Sequence, residues 1–145
     1  MAVQMELSRI LIRELNDYQL IELREVTDND DDLENGDEGR SFPIVIGLPE
    51  AQAIERRLKG IPIKRPQTHD LLANLVEQLG AEFVSITITD LRDHTFFATL
   101  DIRTSDGEMI NVDSRPSDAI ALGIAGGVPI FVEEHVLESA LSDEL

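Results

Sequence analysis

The sequence predicts an α+β fold, in which one mixed α/β domain holds an antiparallel-rich mixed sheet packed with three to four helices. Segments with alternating apolar residues come in pairs joined by short turns, as is typical of antiparallel strands. Segments with apolar residues at helical spacing lie between these pairs and after them. Neither an internal repeat nor a linker interrupts the 145 residues, a length that suits one domain with its own core.

The N-terminal part predicts a strand pair and a third strand. Residues 3–12 end in three apolar residues, and residues 18–26 partly alternate apolar and charged side chains. The polar residues 14–17 between them predict a hairpin turn. Residues 42–47, with the sequence FPIVIG, predict a short apolar strand.

Two helices are predicted next. The first begins at Leu48, carries Pro49 in its first turn, where a missing N–H costs nothing, and ends at Gly60. The second has Thr68 as its N-cap and ends at Gly80. The apolar faces are predicted to consist of Ala51, Ile54 and Leu58 in the first helix, and of Leu71, Leu72, Leu75, Val76 and Leu79 in the second.

A three-stranded antiparallel meander is predicted for the following part of the chain. Residues 83–89 alternate apolar and polar side chains and lead into a turn at 90–94. Residues 95–103 return as the second strand, and residues 109–112 follow an Asp-Gly turn as the third.

The C-terminal part predicts two further helices and a strand. A helix with Ser114 as its cap and Pro116 in its first turn follows the meander. A strand over 128–132 and a helix over 133–141 complete the domain. We therefore expect one domain over residues 1–141 and a short C-terminal tail at 142–145.

The composition excludes several classes of protein. The chain has no cysteine, which excludes disulfides, thiolate nucleophiles, iron–sulfur clusters and cysteine-based zinc sites. No apolar run approaches the roughly 18 residues of a membrane span. The N-terminus lacks the basic start and apolar stretch of a signal peptide. We therefore expect a cytoplasmic protein that does not contact membranes.

The formal net charge of −17 is unevenly distributed. Residues 28–40 contain seven acids and predict a solvated, mobile loop. The alternating Asp28, Asp30 and Asp32 leave open a Ca²⁺-binding loop, although the glycine and final glutamate of an EF-hand are missing. Five of the twelve basic residues fall within positions 56–65, a patch that could bind one phosphate although the acidic whole repels nucleic acid.

The segment DSRPSD lies at a strand-to-helix junction and allows two interpretations. Ser114 as a cap and Asp118 in the first turn would stabilise the helix start. Arg115 beside the positive end of a helix needs a partner, which is either Asp113, Asp118 or a bound anion. Alternatively, Asp113 and Asp118 could hold a divalent cation that bridges to a phosphate.

His69 and Asp70 form a second polar cluster, at the predicted start of the second helix. A histidine in this position can serve as a general base or a metal ligand, and it can equally be a capping or surface residue. The sequence contains no Walker loop, dinucleotide-binding glycine pattern, HExxH motif or serine-centred elbow. The residues alone therefore predict an anion-binding or regulatory domain.

Five ordered segments point to a known family. They are FPIVIGLPEAQAIE (42–55), RPQTHDLLANLVEQLGA (65–81), TDLRDHTFFATL (89–100), DSRPSDAIALG (113–123) and PIFVEEHVLE (129–138). With them the sequence resembles the bifunctional nuclease domain family over most of its length. The resemblance implies a mixed α/β domain, self-association into a homo-oligomer, and DNA or RNA as the bound partner.

The site residues implied by the resemblance are those within its matched motifs. They are His69, Asp70, Asp90, Asp113, Arg115, Ser117 and Asp118. We expect the catalytic residues to be His69, Asp70, Asp113, Arg115 and Asp118, the substrate-binding residues Arg65 and Ser117, and the ligands of a Mg²⁺ or Mn²⁺ ion Asp113 and Asp118. The expected activity is metal-assisted phosphodiester hydrolysis. The alternative is a non-catalytic, oligomeric binding or regulatory module in which Arg115 and the aspartates form internal salt bridges.

Overall fold

The computed structural model describes residues 2–13, 18–26 and 39–143. Within them, seven strands and four α-helices follow one another, which confirms the predicted α+β class. In chain order these are β1 Ala2–Leu11, β2 Gln19–Glu25, β3 Ser41–Ile46, α1 Leu48–Lys59, α2 Thr68–Gln78, β4 Glu82–Arg92, β5 Thr95–Arg103, β6 Met109–Ser114, α3 Pro116–Gly123, a 3₁₀ turn Ile124–Gly126, β7 Ile130–Glu133 and α4 Glu134–Asp143. The predicted turn at 14–17 and all of the predicted acidic loop except Gly39 and Arg40 lie outside the described residues.

The seven described strands form one mixed sheet with the order β3-β2-β1-β7-β4-β5-β6. β7 pairs in parallel with β4, and every other neighbouring pair of these strands is antiparallel. The predicted N-terminal strand pair and the β4–β5–β6 meander are therefore both confirmed. α3 and the 3₁₀ turn carry the chain from the β6 edge back to the middle of the sheet, where β7 joins the two halves.

The sheet is strongly coiled. The ring of Phe42 on β3 stacks on the ring of Phe96 on β5 with centroids 5.5 Å apart, although four strands separate β3 from β5 in the sheet. Right-handed twist accumulates from strand to strand and brings distant strands together in this way. The largest buried apolar side chains of the resulting core are Phe42, Met5, Ile21, Leu23, Ile54, Ile86, Ile88, Ile120, Leu137, Val132 and Val136.

α3 is almost entirely buried, and its first turn forms one wall of the groove described below. It packs against α1, α2, β4 and β5. A Cβ on Gly123, its last residue, would lie 3.0 Å from Cδ1 of Ile86 and 3.1 Å from Cβ of Val128. Glycine therefore allows the closest approach of α3 to β4. None of the helices in the described part of the chain is long and apolar enough to cross a membrane.

The starts of two helices differ from the predicted caps. Gln67, not Thr68, is the N-cap of α2, because the Gln67 carbonyl accepts the first helical hydrogen bond. Arg115, not Ser114, is the N-cap of α3, and the Ser114 hydroxyl donates instead to the Arg115 carbonyl at 2.8 Å. Pro116 explains the second difference, since it suits the first helical position and favours extended backbone in the residue before it.

Two predicted element boundaries also differ from the structure. The turn expected at 90–94 consists of Asp93 and His94 alone, whose φ angles are 50° and 64°. Positive φ at both central residues is the geometry of a tight two-residue hairpin, so the flanking strands extend further than the alternation indicated. The last helix runs to Asp143, beyond the end expected at residue 141.

The apolar faces predicted for the first two helices are only partly buried. Ala51 and Ile54 of α1 lie in the core, whereas Leu58 is exposed. α2 has no fully buried residue and contacts the core through the half-buried Ala73 and Val76. The four leucines of its predicted apolar face are all exposed: Leu71, Leu72, Leu75 and Leu79. Of that face, Val76 is the residue that packs against the core.

Arg57 of α1 joins three helices. Its Nε and Nη2 atoms donate to the carbonyl oxygens of Ala121 and Leu122 near the end of α3, at 2.5 and 3.1 Å. Its Nη1 atom donates to Oδ1 of Asp70 in the first turn of α2 at 2.6 Å, and Arg56 binds Oδ2 of the same carboxylate at 2.8 Å. A cation at the end of α3 and an anion at the start of α2 both match the local helix dipoles. Two of the five residues of the basic patch expected to attract phosphate thus fasten α2 to α1 and α3.

We expect Arg57→Ala to lower the free energy of unfolding by about 3 kcal/mol, because it removes the side-chain donor to two helix-end carbonyls and one of the donors to a largely buried carboxylate. The control is Lys59→Ala on the same helix, which removes an exposed ion pair with Glu55. It should change the free energy by no more than about 0.5 kcal/mol. Urea unfolding followed by circular dichroism measures both variants. Equal losses would contradict the role assigned to Arg57.

The decrease in the free energy of unfolding at acidic pH should depend on Asp70. Burial alone would raise the pKa of Asp70, but hydrogen bonds from Arg56, the Gln67 N–H and Arg57 together hold it below the ordinary value of 3.8. A carboxyl with a lowered pKa in the folded state contributes stability above its unfolded pKa and loses that contribution as the pH falls through the folded pKa.

The difference in unfolding free energy between the wild type and Asp70→Asn should therefore be largest at about pH 6 and shrink as the pH falls from about 4 to about 2. The matched control is Asp106→Asn, in an exposed turn, whose difference from the wild type should stay near zero throughout. Urea unfolding at each pH gives both differences. A difference for Asp70→Asn that does not change with pH would contradict the proposed linkage.

Candidate active site

A groove of about 910 Å³ runs between α2, the start of α3 and strands β5 and β6. Its charged and polar lining includes His69 from α2, Asp113 from β6, Arg115 and Asp118 from the start of α3, and Glu50 from α1, and we call the part of the groove where they lie its polar end. Apolar side chains, among them Leu72 and Val112, line the rest of the groove. Four of the five residues predicted to be catalytic therefore meet in one groove, although His69 lies far from the other three in sequence.

His69 and Asp118 form a hydrogen-bonded pair at the polar end of the groove. Nε2 of His69 lies 2.9 Å from Oδ1 of Asp118, and the two side chains are 16% and 28% exposed. The carboxylate can only accept, so Nε2 carries the proton. When the imidazole is neutral, Nδ1 of His69 holds the lone pair, and this atom has no hydrogen-bond partner among the described residues. The pair thus has the arrangement of a histidine oriented by a carboxylate.

Arg115 binds the other side of the same carboxylate. Its Nε donates to Oδ2 of Asp118 at 2.7 Å, and its Nη2 donates to Oε1 of Glu50 at 2.8 Å. These hydrogen bonds from Arg115, first to Asp118 and then to Glu50, raise its pKa above the ordinary value. Two carboxylates therefore offset the cost of holding a cation beside the positive end of α3. The sequence offered no signal for Glu50 as a partner, because 65 residues separate it from Arg115.

The Asp118 carboxylate stays ionised in this setting. Burial alone would raise the pKa of Asp118, but hydrogen bonds from Arg115 and His69 together hold it below its ordinary value. Both of its oxygens already accept a hydrogen bond from a neighbouring side chain. Asp118 is therefore built to orient His69 and Arg115.

Three predicted site residues lie away from the polar end of the groove. Asp70 is bound by Arg56 and Arg57 between the helices, so its carboxylate is occupied by a structural contact. Arg65 is exposed in the connection between α1 and α2 and does not line the groove. Asp90, a residue of the matched motifs, forms an ion pair with Arg92 at 2.8 Å on the same strand. We assign none of these three to the groove.

Asp113 and Asp118 were expected to hold a divalent metal. Among the described residues, no group of three or more His, Asp or Glu side chains is placed to share an ion. Asp118 is committed to His69 and Arg115, which leaves the exposed Asp113 as the one groove aspartate with no hydrogen-bond partner in the described part of the chain. Magnesium and manganese prefer several oxygen ligands, so this donor set does not fit a resident metal.

Ser117 lines a second cavity, of about 750 Å³, which shares Arg115, Thr95 and Phe96 with the groove. The residue is 5% exposed, and its hydroxyl has no hydrogen-bond partner among the described residues. It lies in the first turn of α3, where backbone N–H groups have no helical acceptor. The start of α3 therefore presents Ser117 to one cavity and Asp118 to the other, with Arg115 between them.

Comparison with known proteins gives an uncharacterized bacterial relative and plant relatives that are named bifunctional nucleases. An uncharacterized protein of Mycobacterium tuberculosis is 43% identical over 106 residues, which are 73% of this chain and 61% of that protein. Bifunctional nuclease 1 of Arabidopsis thaliana is 25% identical over 103 residues, which are 70% of this chain and 32% of that protein. Bifunctional nuclease 1 of Oryza sativa subsp. japonica is 25% identical over 97 residues, which are 66% of this chain and 29% of that protein. The chain thus spans less than two thirds of the length of each of these relatives.

The family assignment rests on the extent of the match. The bifunctional nuclease domain matches residues 33–144, a range that contains α1 to α4, β3 to β7 and every residue of the groove. The motifs that carried the resemblance in the sequence all lie within it. This chain belongs to the bifunctional nuclease domain family.

Proposed function

We propose that the chain is a nuclease that hydrolyses phosphodiester bonds of single-stranded DNA or RNA by acid–base chemistry at His69, which Asp118 orients, with Arg115 as the phosphate ligand. The observation that carries the proposal is the hydrogen bond of 2.9 Å between Nε2 of His69 and Asp118, in a groove that Arg115 also lines. The family and the names of its plant relatives support a nuclease.

His69 is the proposed general base. With Nε2–H held by Asp118, Nδ1 takes a proton from a water molecule, whose oxygen forms a bond to phosphorus. The bond between phosphorus and the leaving nucleoside oxygen breaks, and protonated His69 returns the proton to that oxygen. Asp118 remains ionised and stabilises the imidazolium formed in between.

Arg115 is the proposed phosphate ligand. Its side chain is 65% exposed, and its Nη1 atom makes no hydrogen bond to the described residues, while Nε and Nη2 are fixed by Asp118 and Glu50. A guanidinium held in this way offers the phosphate a donor whose orientation is already set. Ser117, with its free hydroxyl in the adjoining cavity and the first-turn N–H groups of α3, is the proposed second contact to the substrate.

The net charge of −17 determines how such an enzyme meets its substrate. Long-range repulsion between the acidic chain and a phosphate backbone slows association and leaves binding to short-range contacts in the groove. Substrate affinity is therefore expected to come from a few nucleotides near Arg115. We do not propose an extended basic surface that guides the nucleic acid to the groove.

The alternative function, a non-catalytic binding or regulatory module, is favoured by one observation. Arg115 is already paired with Asp118 and Glu50, so the charges at the start of α3 are balanced without a ligand. In that case, the same contacts serve only to fix α1, α2 and α3 at their ends. Activity measurements separate the two proposals.

We expect the purified chain to cleave fluorescently labelled single-stranded oligonucleotides, and we expect His69→Gln and Asp118→Asn each to slow cleavage about 100-fold or more, because general acid–base catalysis contributes that much. His135→Gln is the control, since His135 is exposed on α4 outside the groove. It should leave the rate within about twofold of the wild type. Circular dichroism spectra establish that each variant is folded. An inactive wild type supports the module, and a folded, fully active His69→Gln variant excludes the proposed base.

Cleavage should continue after divalent metals are removed, because the groove donors do not fit a resident ion. The measurement compares the rate in excess EDTA with the rate after Mg²⁺ or Mn²⁺ is restored, on the same DNA and RNA oligonucleotides. The two rates should agree within about threefold, which allows for the effect of divalent ions on the substrate. Activity that disappears in EDTA and returns with metal would instead support the metal-assisted mechanism expected from the sequence, with Asp113 as a ligand.

A further inference from the structure

α2 presents a leucine-rich flank to solvent. Leu72, Leu75 and Leu79 lie on the side of the helix next to its core-facing residues Ala73 and Val76. The three leucines are between 42% and 72% exposed. Exposed apolar groups of this size that form one patch are typical of a surface that is covered by a partner.

β6 continues this apolar surface at the edge of the sheet. Ile110 and Val112 point to the same side of the strand, and they are 43% and 42% exposed. Their neighbours on β5 are Ile102 and Leu100, which are buried and which line the groove together with Leu72 and Val112. Leu72 of α2 and Val112 of β6 therefore border one concave surface, and the other α2 leucines and Ile110 extend the apolar surface along their own elements. We call Leu72, Leu75, Leu79, Ile110 and Val112 the α2–β6 face.

We propose that the α2–β6 face is the contact between two copies of this chain, formed when β6 of one copy pairs antiparallel with β6 of the other. β6 is the last strand of the described sheet, so one row of its backbone N–H and C=O groups has no strand partner among the described strands. Such an edge readily adds another strand. The other edge, β3, has Pro43 in its middle, which blocks one donor of the ladder.

The charge of the molecule favours a second copy as the occupant. None of the five residues of the α2–β6 face is ionisable, although the chain as a whole carries a net charge of −17. Two copies that meet elsewhere on the acidic surface repel each other, whereas contact through the neutral face leaves the acidic groups in solvent. A basic partner or a nucleic acid finds no complementary charge on this face.

The sequence of β6 is self-complementary in one register. A two-fold axis at Asn111 places Ile110 opposite Val112 of the second copy and Val112 opposite Ile110, on the side that α2 flanks. The same register places Met109 opposite Asp113, which keeps the two Asp113 carboxylates apart. The contact then covers the β6 edge together with the α2 leucines.

The chain has no cysteine, so a single introduced cysteine can report on this contact. In the proposed register, the residues at 111 of the two copies face each other with Cα atoms about 5 Å apart, within reach of a disulfide. Asn111→Cys should therefore form a covalent dimer under mild oxidation, seen on a non-reducing gel. Val45→Cys, on the exposed outer strand β3, is the control and should stay mostly monomeric on the same gel.

Sedimentation equilibrium of the cysteine-free chain supplies the second measurement. We expect a dimer at about 50 µM, and we expect the double variant Leu75→Lys, Leu79→Lys to be a monomer, since like charges would then meet across the contact. Both leucines are exposed, so the variant should keep its circular dichroism spectrum. A monomeric wild type overturns the proposal, as does a dimer that survives the double variant. A dimer that Asn111→Cys does not trap overturns the pairing of β6.

Discussion

The arrangement of the groove depends on the contact between Arg57 and Asp70. Arg57 binds the last carbonyls of α3 with one side of its guanidinium and the first turn of α2 with the other. Because His69 directly precedes Asp70, the contact that fixes the start of α2 also fixes His69. Asp118 lies in the first turn of the helix whose far end Arg57 holds. The pairing of His69 with Asp118, 49 residues apart in sequence, is thus set by an ion pair one residue away from the histidine.

Arginines hold α1, α2 and the start of α3 together by forming ion pairs with acidic residues of other elements. Arg56 and Arg57 share Asp70, and Arg115 connects Asp118 with Glu50. In a chain with a large excess of acids, each arginine is surrounded by candidate partners, so a cluster of basic residues does not by itself indicate an anion site. Largely buried ion pairs with several hydrogen bonds fix orientation more reliably than they add stability. Their proposed use here is to set the geometry of His69 and Asp118.

The sequence predicted the strands, the helices and the fold class because these follow from local patterns. Alternation identified the β4–β5–β6 meander, and Gly60 ended α1 where the pattern indicated. The partners of Arg115 and Asp70 could not be predicted, since they come from distant parts of the chain. The leucines of α2 show the same limit, because periodicity identifies residues that share a face and does not identify what that face contacts. The five motifs pointed to the groove residues together, while the roles of Asp70 and Asp118 required the contacts themselves.

The proposed dimer and the proposed active site meet on α2. This helix has no fully buried residue, so its attachment rests on Asp70 and His69, on Ala73 and Val76, and on any partner that covers its leucines. A second copy seated on the α2–β6 face adds contacts to the side of α2 that the monomer leaves in solvent, and it covers Leu72 and Val112, which line the same groove as His69. Association would then restrict the motion of α2 and with it the position of His69 relative to Asp118. In this arrangement the exposed leucines of α2 have a physical role. The second copy that covers them holds α2, which has no fully buried residue of its own, in position beside the rest of the site.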